Sequence, residues 1–369
     1  MRICRKGSIM ADKKIVKTGQ EHVVELLKNA APMKDYAATF TAHCTAPIRR
    51  ISTGYLAIDK VLNGGLSNEL YIMGAETSTG KSAFLMSIAQ KVAQAGTADV
   101  LYFSLEMGRD EFVARGISSI SYERSLADSS VRPLTAGNVL YWTYDDAVSD
   151  FLRLAYSSYA AYADEYFARY GEHLHIIESG LSGLTVKDIA NVAALYKRQH
   201  SDRQVVVFVD YLQIIKADPD DRTQSDRKTK TDVVVTTLKV LASQIGMPVV
   251  TISSIGRTSY NGSISSASFK ESGDTEYTGG VLIGWNWDGV TNESDEDKRT
   301  QEKELCKTRG YRNMKLEVLK YRNAARDSSV MMRYYPAYSY FTGPDEFVPM
   351  SKDEECPFED KKIPRTIRA

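Results

Sequence analysis

Cysteine is scarce and long hydrophobic runs are missing. The 369 residues hold four cysteines, Cys4, Cys44, Cys306 and Cys356, and none form a CxxC pair. That spacing excludes a disulfide framework and a cysteine-based zinc site, and it suits thiols kept reduced. No stretch reaches the length that spans a bilayer. The opening "MRICRKGSIMADKK" carries charge but no apolar core, which excludes a signal peptide. The expectation is a cytoplasmic protein with no membrane contact. Net charge is also absent, because 47 Lys and Arg balance 47 Asp and Glu. No whole-protein basic field exists to hold a polyanion, so any such contact must be local.

The residues that are present divide into three parts. Residues 1–49 are polar with one helical patch, "TGQEHVVELLKNA". Thr18 and Glu21 make a capping box, Val23, Val24, Leu26 and Leu27 an apolar stripe, and Pro32 a stop. A lone helix of this length is marginal in water and needs a surface to dock on. Residues 50–341 alternate strand and helix. "ELYIM", "DVLYFSL", "LHIIE", "QVVVFVD", "PVVTIS", "GVLIGW" and "MKLEVLKY" read as strands, several of them apolar throughout, as strands buried on both faces are. Between them "KSAFLMSIAQKVAQAG" repeats Phe84, Ile88 and Val92 at helical spacing, and Gly96 is placed to end it. This predicts an α/β domain with a mainly parallel sheet. Residues 342–369 read as a loosely held tail. Within the domain, the aromatic segment 141–170 predicts a packed amphipathic helix, with base stacking by its tyrosines the alternative. The mixed charge run 292–307 predicts a solvated loop with no chemistry of its own.

"GAETSTGKSAF" follows the first strand. Residues Ala75 to Ser82 fit [AG]-x-x-x-x-G-K-[ST] and lead at once into a helix. In such a loop, inward backbone N–H groups from Thr77, Ser78 and Thr79 onward cradle phosphates, and Gly80 permits close approach. Lys81 spans the β- and γ-phosphates, and the Ser82 hydroxyl ligates Mg²⁺. The predicted ligand is therefore ATP with Mg²⁺. Asp210, ending a hydrophobic strand, is the matching acid for the metal shell. Glu106, after the strand that follows the loop helix, is the candidate to orient the attacking water. Capping of the helix near Arg109 is its alternative role. The long Ser/Gly-rich segment after Ser253 and Ser254 carries Arg257 and Lys270. It reads either as a phosphate-touching loop or as a plain surface loop. Lys320 and Arg322, two apart near the end of a strand, point to one face and require an anion opposite.

In this order, "FSLEM", "VDYLQII", "FKESG" and "LKYRN" resemble the C-terminal motor domain of DnaB-type replicative DNA helicases, a RecA-like family. The resemblance covers residues 50 to 341, with "STGYLAIDKVLNGGL" as the lead-in. It implies a P-loop fold, a ring that is a hexamer, and single-stranded DNA in its channel. It makes Glu106 the catalytic glutamate and Asp210 the Walker B aspartate. Lys270, Glu271 and Gly273 match the DNA-gripping loop, and Arg115 matches an arginine near the nucleotide. Lys320 and Arg322 match a pair that reaches the neighbouring subunit's γ-phosphate. Three departures stand out. Ser254 replaces the family's usual Gln, "DTEYTGG" follows "ESG", and the globular N-terminal domain has no counterpart beyond the linker-like helix. Any loader or primase partner is left open by this. These departures support an alternative, a RecA-like ATP-binding scaffold or regulatory ATPase without unwinding activity.

Overall fold

The computed structural model describes residues 32–45, 50–141, 149–179, 183–218, 227–255, 264–269, 280–291, 293–321 and 328–346. The chain divides into two compact units, residues 1–49 and 50–369. In the first, a 3-10 turn, Met33–Tyr36, runs into helix α1, Ala37–Thr45. The sequence reading had no helix there, because this stretch carries no apolar stripe. The helix expected around Val23–Leu27 lies outside the described residues.

The second unit is built on nine strands: β1 Leu70–Ala75, β2 Ala98–Ser104, β3 Leu174–Glu178, β4 Gln204–Asp210, β5 Val249–Ser254, β6 Val281–Trp287, β7 Arg312–Tyr321, β8 Ser329–Tyr335 and β9 Tyr340–Thr342. They form one sheet in the order β3-β2-β4-β5-β1-β6-β7-β8-β9. The pairs linking β1 to β6 are all parallel, and β7, β8 and β9 continue antiparallel. The described helices of this unit are α2 Leu56–Val61, α3 Lys81–Gln94, α4 Arg109–Ala127, α5 Ala136–Tyr141, α6 Ser149–Tyr170, α7 Val186–Gln199, α8 Arg227–Val240 and α9 Glu296–Arg309.

The apolar runs explain the layering. Successive residues of a strand face opposite ways, so Tyr71, Val100, Tyr102, Val206 and Phe208 join Phe84, Ile88 and Val92 of α3 in one core. Leu70, Ile72, Leu101, Phe103, Val205, Val207 and Val209 join Ile189 of α7 and Val234, Val235 and Leu238 of α8 in the other. The same alternation turns Asp210 toward α3 and Gly74 toward the α7–α8 face.

The aromatic segment behaves as a packed helix where it is described. Tyr162, Tyr166 and Tyr170 of α6 are buried with Ala114, Ile117 and Ile120 of α4. The charge run is corrected: residues 296–309 are helix α9, not a loop. Asp295 accepts from the N–H groups of Asp297 and Lys298, acids occupy the first turn, Lys307 and Arg309 the last, and Gly310 takes the left-handed C-terminal position. Caps and dipole-matched ends are each worth about 1 kcal/mol, and the lack of apolar periodicity had hidden them. Strands β8 and β9 were also missed. They pair around Pro336–Tyr338 as a short hairpin, and Ser339 at φ 51° makes the turn.

Candidate functional site

The parallel strands all end at one edge of the sheet, which gathers Ala75, Ser104, Asp210 and Ser254 there. The loop from Glu76 to Gly80 leaves β1 at this edge. Ser78 at φ 62° and Gly80 at φ 85° curl it back over the start of α3. At Gly80 glycine is required twice over. The conformation is left-handed, and a Cβ would sit 2.9 Å from Tyr334 Cζ.

The loop is braced from several sides. The Glu76 carbonyl accepts from Thr79 Oγ1 at 2.8 Å and from Lys81 Nζ at 2.7 Å. Trp285 Nε1 donates to Thr79 O at 3.0 Å, and Arg312 Nη1 to Ser78 O at 2.9 Å. Arg312 also lies 4.2 Å over the Trp287 ring. Burial pulls the Lys81 ammonium below its ordinary range, and the charges of Asp210, Glu106 and Glu76 oppose that. Glu76 is raised by burial, against Arg299, Lys303 and Lys81, and its Oε1 is buried with no hydrogen-bond partner among the described residues.

Across from the loop, Ser82 Oγ donates to Asp210 Oδ1 and Tyr102 OH to Asp210 Oδ2, each at 3.2 Å. Asp210 is buried, and desolvation pushes its carboxyl up to about 6, which the Glu106 charge assists and Ser82, Tyr102 and Lys81 resist. A carboxyl raised above its ordinary 3.8 binds more protons in the folded chain than in the unfolded one. Stability of the metal-free protein is therefore expected to fall as pH rises from about 4 through about 6. Urea titrations across that window should show the decline, and Asp210→Asn should flatten it. A decline of equal depth in the variant would remove Asp210 as its source.

Glu106 is exposed just beyond β2, and its charge acts on both Lys81 and Asp210. It does not cap α4. Gly108 holds the cap position, and Glu178 Oε1 accepts the Arg109 N–H at 2.7 Å. Arg115 is paired with Glu111, Nη2 to Oε1 at 2.5 Å, and its charge reaches Tyr102 and Tyr334. Lys320 sits on β7 opposite Leu282, directly after a bulge that breaks the alternation. Met314, Leu316 and Val318 are buried on one face, and the next buried residue is Tyr321. Arg257, Lys270, Glu271, Gly273 and Arg322 lie outside the described residues.

Several site residues carried no usable signal in the sequence. Trp285 comes from β6, beside β1, and Arg312 from the antiparallel strand β7. Arg299 and Lys303 sit on the helix misread as a loop. Gln213, just after β4, donates to Ser253 Oγ at 2.9 Å and Ser254 O at 3.2 Å, and accepts from Ser254 N–H at 3.3 Å. Gln213, in the 3-10 turn Leu212–Ile214 that follows β4, thus ties that turn to the end of β5. The "DYLQ" motif held it in plain view, but only the fold shows where it points.

A family model described as "DnaB-like helicase C terminal domain" matches residues 50–135 and 159–343. Replicative DNA helicase DnaB of Haemophilus influenzae is 25% identical over 288 residues, 77% of this chain and 56% of the relative. The same-named protein of Pasteurella multocida is 28% identical over 260 residues, 69% and 50%. The chain spans about half the length of the curated relatives it matches. Among solved structures, a DnaB-like replicative helicase studied with primase superposes with a TM-score of 0.64 at 19% identity, covering 88% of this chain and 70% of that one. A solved ATPase domain gives 0.64 at 18%, covering 85% and 99%. At these identities the superpositions speak for the fold.

Proposed function

Since the chain belongs to the DnaB-like helicase C-terminal domain family, we propose that it is the motor of an ATP-driven translocase. It works as a ring, a hexamer, on single-stranded DNA and unwinds duplex ahead of it. Residues 50–341 are the motor. The observation that carries the reading is the Ser82–Asp210 hydrogen bond beside a loop whose backbone is already curled around Lys81. A hydroxyl and a carboxylate 3.2 Å apart, one buried, suit a hard divalent cation with oxygen ligands.

The P-loop residues suit Mg²⁺–ATP by their chemistry, and the roles of Arg115, Lys270, Glu271, Gly273, Lys320 and Arg322 follow from the family resemblance. Ser82 and Asp210 would hold Mg²⁺, which would supply charge neutralisation at the phosphates, with Asp210 as the carboxylate. The N–H groups of Thr77, Ser78, Thr79 and Gly80 hold the phosphates, and Lys81 exchanges the Glu76 carbonyl for phosphate oxygens. Glu106 orients water at the solvent side of that array. Lys320 and Arg322 serve the neighbouring subunit's γ-phosphate. Arg115 stands near the nucleotide, and Arg257, Lys270, Glu271 and Gly273 contact the DNA backbone. Among the described residues no helix is long and apolar enough to cross a membrane.

The test is a strand-displacement assay with ATP turnover measured with and without single-stranded DNA. Stimulated turnover with displacement is expected. Turnover indifferent to DNA and without displacement would instead favour the ATP-binding scaffold, which Ser254 and the altered "DTEYTGG" motivate.

A further inference from the structure

Residues 264–269 lie on the sheet face formed by β1 and β6. Two glycines stand side by side there, Gly74 of β1 opposite Gly284 of β6. Neither Gly74 nor Gly284 has a left-handed φ, so conformation does not demand glycine. At Gly74 space does. A Cβ on Gly74 would meet the Phe269 ring, with Cε1 at 2.6 Å, and Ile255 Cγ2 at 3.1 Å. A Cβ on Gly284 would make only ordinary contacts, with Leu319 Cδ1 at 3.4 Å and Ile264 Cβ at 3.6 Å. Ile264 and Phe269, at either end of the segment, are both buried in the core of Leu70, Ile72, Ile255 and Leu282. Ser266–Phe269 forms a 3-10 turn that directs the ring down. The bare backbone at Gly74 is therefore a socket, and Phe269 fills it.

The position of that socket matters more than its depth. Gly74 is one residue before Ala75, from which the phosphate loop departs, and it pairs with Ser253 of β5. Phe269 is one peptide bond before Lys270. Strand and ring meet in a packed interior that transmits displacement rather than absorbing it. We propose that Phe269 is a positioning residue that links the DNA-contacting segment beginning at Lys270 to the phosphate loop, by seating its ring on Gly74. This rests on the functional reading above. The nucleotide then alters DNA affinity through the Phe269–Gly74 contact, and DNA alters nucleotide affinity by the same factor.

The experiment measures three quantities on the full chain. They are basal ATP turnover, its stimulation by an oligo-dT strand, and the change in oligo-dT affinity on adding a non-hydrolysable ATP analogue. For Phe269→Ala, basal turnover is expected to stay within about twofold, while stimulation and affinity change collapse by about fivefold or more. Gly74→Ala should uncouple likewise, because its methyl displaces the ring. Gly74→Ala/Phe269→Leu, which trades bulk across the contact, should recover coupling. A purely structural role predicts instead that basal turnover and coupling fall together in every variant. Folded Phe269→Ala protein with wild-type coupling overturns the proposal. If that variant does not fold, failure of the double variant to regain what Gly74→Ala loses overturns it. Wild-type protein that ignores DNA overturns the functional reading itself, and the wild-type control reads that outcome separately.

Discussion

Lys81→Ala protein is expected to lose ATP turnover by about 10²–10³-fold, the usual cost of removing a preorganised donor aimed at developing charge. Lys81 opens α3, with its ammonium drawn into the loop by the Glu76 carbonyl at 2.7 Å. Its charge also faces Asp210, Glu106 and Glu76. Truncation removes the phosphate contact and leaves three carboxylates without their shared cation. Steady-state turnover with saturating Mg²⁺–ATP reads the first effect. A thermal unfolding scan shows that the variant is folded while it is read. Unchanged turnover in folded Lys81→Ala protein would dismiss the loop as the catalytic site.

Arg322→Ala protein should bind ATP normally and hydrolyse it about 10³–10⁵-fold more slowly if Arg322 acts as an arginine finger. Glu106→Ala should be slow for the different reason that the water is no longer oriented, a loss of about 10²–10⁴-fold. On the proposed reading the two defects fall on opposite sides of one interface. In randomly mixed rings, roughly a quarter of interfaces join an intact Glu106 to an intact Arg322. Mixing two nearly inactive proteins should therefore return a measurable share of wild-type turnover. A mixture no faster than its components would count against the trans role of Arg322.

The sequence made the fold legible where periodicity was strong. Val205–Val209 and Leu70–Met73 alternate between two cores, and a run with no polar face announces a strand covered on both sides. Legibility failed where stability comes from ends rather than faces. Helix α9 is held by Asp295, Gly310 and its terminal charges, and has one buried residue, Cys306. The hairpin of β8 and β9 is short and built around a proline. At the site, Lys81, Ser82 and Asp210 were readable because phosphate and metal chemistry fix their spacing to a loop and a strand end. Gln213, Trp285 and Arg312 were not. They reach the loop or Ser254 across strand order, and order in a sheet is a property of the fold. Phe269 was legible as part of a motif but not as a buried ring, since its socket is an absence, the missing side chain of Gly74.

Strand β7 carries one further consequence. Arg312 at its start is bonded to the subunit's own phosphate loop, and Lys320 stands near its end. Eight residue steps of extended chain separate them, about 27 Å. An extended strand inside a sheet resists stretching, so its two ends keep a fixed separation across the bulge beside Leu282. If the Lys320 end reaches a neighbour's triphosphate, each site has a mechanical line to the next. Hydrolysis would then pass around a ring as a relay rather than fire at random.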